Sequence, residues 1–155
     1  MLRVIYKTSQ LDFSLISQIY ESSGLEGSST RYASGRTERH ELQIRNELYD
    51  CFAELFRLGG FCGLWVVEER IVSVVRIESF KDGYLVAGLA THFDFQRCGY
   101  ATKLLSAVLD RIGGTCYSHV DKRNEASLSV HMRCGFEKLK DSARYLDGTV
   151  TTALI

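Results

Sequence analysis

The sequence predicts one mixed α/β domain over residues 1–155, with elements in the order βαα-βββ-αβ-αββ. Three observations predict it. Apolar residues recur at helical spacing in a few separate stretches. Runs rich in Val, Ile and aromatic residues fill the intervals, as strands require. Glycine pairs and Asp-Gly steps fall at the joins, with no repeat, low-complexity segment or linker between them.

Leu2 to Tyr6 reads as a short strand. Leu11, Leu15, Ile16 and Ile19 mark a helix over Leu11–Ser22. Ser22 to Gly35 is rich in Ser and Gly and reads as a loop, with Tyr32 as a contact residue. Thr37 to Leu58 is an amphipathic helix with Leu48, Phe52, Leu55 and Phe56 on one face, ended by Gly59-Gly60. Phe61–Glu68 and Ile71–Phe80 suit strands joined by a tight turn at Glu69-Arg70. Asp82-Gly83 signals a hairpin into Tyr84–Thr91, so these three strands form an antiparallel meander. Ala101, Leu104, Leu105, Val108, Leu109 and Ile112 form the buried stripe of a helix that Gly113-Gly114 stops. Thr115–Val120 is a strand, and Asn124–Cys134 a short helix closed by Gly135. Phe136–Tyr145 and Thr149–Ile155 read as a last hairpin around Asp147-Gly148.

Composition narrows the function. The 155 residues carry 19 basic and 19 acidic side chains, a net charge of zero, which disfavours bulk attraction to nucleic acid or an anionic membrane. Nothing in the chain approaches a membrane span, and the start, Met1 to Tyr6, is too short and then too polar for a signal peptide. Cys51, Cys62, Cys98, Cys116 and Cys134 are odd in number and lack a C-x-x-C spacing; free thiols in a reducing cytoplasm are expected. No Cys/His spacing suits a metal.

The join between the third meander strand and the next helix is the most informative stretch. Gln96-Arg97-Cys98-Gly99-Tyr100-Ala101 places a glycine where a helix starts. A helix N-terminus offers unpaired N–H groups and the positive end of the dipole, and a glycine lets a ligand approach the backbone. Main-chain amides from Arg97 through Cys98, Gly99, Tyr100 and Ala101 to Thr102 therefore suit a phosphate. The alternative is a glycine that only permits a tight turn.

Gln96-x-x-Gly99-x-Ala101 resembles the Arg/Gln-x-x-Gly-x-Gly/Ala signature of the GNAT superfamily of N-acetyltransferases. Asn124-x-x-Ser127, ending in Gly135-Phe136, is similar to that family's second segment, 25 residues beyond Gly99. The resemblance implies a mostly antiparallel, twisted sheet with helices on both faces. In it, Tyr84–Thr91 and Thr115–Val120 run parallel and splay apart at their C-terminal ends. It implies acetyl-CoA as cosubstrate, its pyrophosphate on the Gln96–Thr102 loop and its pantetheine arm beside Leu89, Ala90 and Thr91. Asn124, Ser127 and His131 would meet the cofactor from the short helix. Asn124 and His131 fall within about 20° of one helix face and Ser127 about 60° away. Asn124 is equally a helix cap, and Ser127 can bond the preceding turn.

Many family members carry a Tyr four residues before Gly-Phe that protonates the leaving thiolate; this chain has His131 there. It is either that proton donor or a histidine bonded to a backbone carbonyl. No acid lies on Tyr84–Thr91, so the base candidates are Glu78, His92 and His119, with Arg76 and Glu78 sharing the face of Val74. Positioning without a dedicated base is the alternative. Trp65, Tyr32, Phe52 and Tyr145 either line an acceptor pocket or fill the core. Lys122, Arg123, Arg97 and Lys103 either meet phosphates or are solvated. Covalent catalysis by Cys134 would need a base partner, and a packed thiol is the simpler reading.

These readings converge on an acyl-CoA-dependent N-acyltransferase, moving an acetyl group to the amine of a small molecule by direct attack, with no metal. The rival is an acyl-CoA-binding sensor without turnover. A dinucleotide site at Gly99 would need a glycine triplet and a following acid that are absent. The C-terminal strands could pair in a homodimer.

Overall fold

In the computed structural model of the chain, residues 1–22, 38–144 and 150–154 are described, with 141–144 and 150–154 as backbone alone. The elements are β1 (Leu2–Ile5), α1 (Phe13–Ser22), α2 (Glu38–Arg57), β2 (Phe61–Val67), β3 (Arg70–Phe80), β4 (Gly83–Thr91), α3 (Tyr100–Ile112), β5 (Cys116–Val120), α4 (Glu125–Arg133), β6 (Lys138–Arg144) and β7 (Val150–Leu154). This is the order read from the sequence. Tyr32, Tyr145 and the Asp147-Gly148 turn lie outside the described residues.

The strands form one sheet in the order β1-β2-β3-β4-β5-β7-β6. β1 to β4 are antiparallel neighbours, β4 and β5 are parallel, and β7 lies antiparallel between β5 and β6. Period-2 alternation feeds two cores. Cys62, Leu64, Val66, Val74 and Ala90 face Ile16, Ile19, Phe52 and Leu55 of α1 and α2. Val75, Ile77, Val86, Cys116 and Val120 face Leu104, Leu105 and Val108 of α3. Gly63 is a glycine because α3 lies close: a Cβ there would come 2.8 Å from Val108 Cγ2.

Two turns sit one residue earlier than the sequence signals suggest. Glu68 and Glu69 form the β2–β3 turn with φ of 47° and 65°. A two-residue hairpin favours positive φ because it matches strand twist, and the strand register here imposes it without a glycine. Lys81-Asp82 forms the next turn, and Gly83 pairs with Phe80 inside the ladder. Gly83 is needed for another reason. A Cβ there would stand 2.1 Å from the Thr115 carbonyl, which accepts from the Tyr84 N–H. None of the five cysteines is in a disulfide.

Candidate functional site at the splay of β4 and β5

The parallel ladder is short. Tyr84, Leu85 and Val86 pair with Cys116, Tyr117 and Ser118, and there the pairing stops, although β4 runs on to Thr91 and β5 to Val120. The strands therefore part beyond Val86 and Ser118. On its other side β4 carries a bulge: Val74 pairs with Ala90 and Arg76 with Ala87, so three steps on β4 match two on β3. Gly88, at φ 56°, takes up the extra residue. Backbone direction follows by alternation. Ala90's carbonyl accepts the Ser73 Oγ–H at 2.7 Å and so points to β3. Leu89 therefore presents its backbone groups, and Thr91 its N–H, to the open edge, while Ala90 is committed to the sheet. Replacing Gly88 with Ala strains a left-handed φ and sets a Cβ 3.0 Å from both Arg76 Nε and Tyr20 Oη. A loss of about 1–2 kcal/mol is expected in chemical denaturation.

A short 3₁₀ turn, Phe93–Phe95, leads from β4 to the loop before α3. Arg97 and Gly99 adopt left-handed φ of 60° and 77°, so the chain alternates in handedness and turns successive N–H groups to one side. α3 begins at Tyr100, and its first intrahelical N–H is that of Lys103, bonded to the Gly99 carbonyl. The amides of Tyr100, Ala101 and Thr102 have no intrahelical acceptor. No side chain caps this end, and the space a Gly99 Cβ would enter holds no atom within 4 Å. The loop is thus an open concave set of donors at the positive end of a 13-residue helix. Lys103 Nζ lies 5.3 Å from the Tyr100 ring centre, adding positive charge beside that end.

Gln96 does something the motif alone does not reveal. Its Nε2 donates to the carbonyls of Ser22 (3.1 Å) and Thr91 (3.4 Å), tying the loop to the ends of α1 and β4. Cys98 is exposed, its thiol 3.4 Å from the Gln96 carbonyl. Arg123 turns onto Asp121, whose carboxyl its hydrogen bonds hold down to about 2. Its charge is engaged within the chain.

α4 closes the site from the α3 side. Asn124 caps it, Oδ1 accepting from the Ser127 N–H at 3.0 Å, so the cap reading holds for Asn124. His131 is 2% exposed and lies edge-on to Phe136 at 5.0 Å. Its Nδ1 donates to the Ser127 carbonyl at 2.8 Å, which leaves Nε2 as the acceptor of the Ser118 Oγ–H at 2.9 Å. Ser118 Oγ is also 3.3 Å from the Val86 carbonyl. His131 thus sits under the last rung of the β4–β5 ladder. Burial lowers its pKa, only partly offset by the Ser127 hydrogen bond. The sequence signal for this role is the polar Ser118 facing an apolar core.

The remaining candidates separate by face. Tyr117 and His119 stack edge-on to Phe80, whose parity on β3 matches Arg76 and Glu78. Glu78 and His119 therefore share the α1/α2 face. Burial, then Lys81, lowers the His119 pKa, so its imidazole is neutral at pH 7. His92 is occupied: its Nδ1 accepts from the Asp94 N–H at 3.3 Å. Phe52 is core, packed among Phe13, Tyr20 and Phe56, and Trp65 packs against the α3 core. Cys134 packs on Ser106 and Thr102. Among the described residues no group of three or more metal-ligating side chains occurs, and no helix is long and apolar enough to cross a membrane.

Comparison with known proteins places this geometry. The chain matches solved structures over nearly its full length. They include the ribosomal-protein-S18-alanine N-acetyltransferase of Escherichia coli (14% identity, 99% of this chain and 92% of that one, TM-score 0.68). YncA of Salmonella typhimurium, solved with its cofactor acetyl-CoA, is 15% identical (100% and 92%, TM-score 0.68). The PaiA N-acetyltransferase of Thermoplasma acidophilum, in complex with coenzyme A, is 10% identical (99% and 98%, TM-score 0.69). At these identities the likeness is one of fold. No curated protein matches in sequence. The sequence model of the acetyltransferase (GNAT) family matches residues 25–136, which spans the bulged β4, the Gly99 loop and α4, and the chain belongs to that family.

Proposed function

We propose that this protein transfers an acetyl group from acetyl-CoA to a small-molecule amine by direct attack of the amine on the thioester. The observation that carries the reading is the open β4 edge. The ladder to β5 ends at Val86, and the unpaired edge runs straight into the donor-lined loop at Gly99. Solved neighbours that hold acetyl-CoA or coenzyme A support the choice of ligand.

The residues fit this ligand. Amides from Arg97 to Thr102 bind the pyrophosphate, and Leu89 and Thr91 pair with the pantetheine arm as a strand would. The thioester supplies an activated acyl carbon and a thiolate leaving group. The Leu89 N–H, freed by the bulge, is the donor for the oxyanion. Glu78 or His119, on the acceptor face, takes the proton of the attacking ammonium. His131 acts here chiefly by position. Its N–H is spent on Ser127, so a neutral ring has none left for the thiolate, and burial opposes the imidazolium.

Calorimetry with acetyl-CoA, against NAD and ATP as controls, tests the ligand; micromolar binding of acetyl-CoA alone is expected. Acceptor-dependent release of free thiol tests turnover. Glu78→Gln and His119→Gln separate the two bases by which of them lowers the rate. The expected loss is about 100-fold for the residue that serves. Tight binding without thiol release across a broad amine panel would sink the transferase reading.

A further inference from the structure

The α1/α2 face holds a cation with which no carboxylate among the described residues forms an ion pair. Arg76 rises from β3 between α1 and α2, beside the bulge of β4. Its Nη1 contacts the Cys51 thiol. Its Nε is shut off from solvent and has no hydrogen-bond partner. Among the described residues no acid forms an ion pair with it. Glu78, two residues along the same face, is within electrostatic reach but roughly 6.6 Å further up the strand. The Nε/Nη2 edge lies over Gly88: a Cβ there would stand 3.0 Å from Nε and 3.2 Å from Nη2. Tyr20 Oη is equally near, 3.0 Å from the same point.

Burying a charge is costly unless an opposite charge completes it. A guanidinium N–H makes a strong charge-assisted hydrogen bond to a carboxylate, and with Nη1 on Cys51 and Nε closed off, Nη2 is the group left to make it. Its position decides what the carboxylate belongs to. Gly88 is the residue at which β4 departs from the β3 register, and the Leu89 N–H beyond it opens on the splay. A carboxylate held at Arg76 sets the adjoining amine beside that N–H. An amine without a carboxylate would leave the guanidinium without an ion pair.

We infer that the acceptor is an amino acid or a closely related aminocarboxylate, with Arg76 holding its carboxylate and thereby fixing which amine reaches the thioester. The inference rests on the transferase reading above and names the acceptor class for that same site. The balance is simple. The ammonium gives one proton to the base, the amine nitrogen bonds to the acyl carbon, and the C–S bond breaks with its electron pair leaving on sulfur. The nitrogen's second proton goes to the departing thiolate. The products are an N-acetyl aminocarboxylate and CoA.

The test compares free amino acids with their own amides and decarboxylated amines in the thiol-release assay, on the wild-type protein and on Arg76→Gln. Free amino acids should exceed their carboxylate-free partners by about 100-fold or more in kcat/KM. In Arg76→Gln that preference should collapse to within about tenfold, with acetyl-CoA affinity by calorimetry unchanged. The wild-type comparison stands even if the variant fails to fold. Amides or plain amines used as well as amino acids would overturn the inference and leave the transferase reading intact. Acetyl-CoA bound with no turnover of any aminocarboxylate would also overturn it. Failure to bind acetyl-CoA would remove the transferase reading, and the inference with it.

Discussion

Replacing Gly99 with aspartate should leave the fold standing and abolish acetyl-CoA binding. Gly99 sits at φ 77°, a conformation that Asp tolerates better than most residues. A carboxylate at the start of α3 also meets the free amides and the helix dipole favourably. The melting temperature should therefore stay within a few degrees of the wild type. The same carboxylate occupies the space now empty beside Gly99 and repels a phosphate there. Like charges about 4 Å apart, at the effective dielectric of a protein surface, oppose each other by about 4 kcal/mol. A loss of about 100-fold or more in affinity follows. Gly99→Ala isolates the backbone cost, about 1–2 kcal/mol, with a loss of binding below about tenfold. Calorimetry beside a thermal melt reads both. Wild-type binding by Gly99→Asp would mean that the loop is only a turn.

His131→Leu should destabilise the protein by about 1–3 kcal/mol at pH 7.5 and flatten its stability between pH 6.5 and pH 5. The substitution leaves the Ser127 carbonyl without the imidazole and the Ser118 hydroxyl with only the 3.3 Å contact to Val86. The pH effect has a definite sign. Burial lowers the folded His131 pKa, whereas in the unfolded chain it lies near about 6.5. As pH falls below that value, the unfolded chain takes the proton first, so stability is fully present above about pH 6.5 and is lost below it. His119, also lowered, contributes the same sign in both proteins, so the difference in slope belongs to His131. Denaturation at a series of pH values measures it. Kinetics separates position from proton donation. Loosening the Ser118–Val86 junction should raise the KM for acetyl-CoA as it lowers kcat. A fall in kcat alone would assign His131 to the leaving thiolate.

The element order was legible because it rests on local properties. The α3 stripe of Leu104, Leu105 and Val108, and the apolar runs of β2 and β3, each announce their period within a few residues. The Gly99 join was legible for the same reason: a glycine, a strand before it and a helix after it are neighbours in the chain. The β2–β3 turn was displaced because Glu68 and Glu69 carry no turn signature, and the register of two long strands overrides their preference.

Distance along the chain decided the rest. Gln96 could not be seen to bind Ser22, 74 residues earlier, nor His131 to bind Ser118 across the gap between α4 and β5. The insertion of β7 between β5 and β6 is a pairing choice that no single strand encodes. The one-residue mismatch at Gly88 exists only in the register of β3 against β4, because a bulge is a property of two strands. That mismatch seats Arg76 beside the open edge. Local sequence specifies which elements form and puts a glycine at the start of α3. The tertiary structure decided which buried polar groups stand at the splay, because charge, burial and hydrogen bonding there depend on residues brought together from α1, α2, β3, β4, β5 and α4.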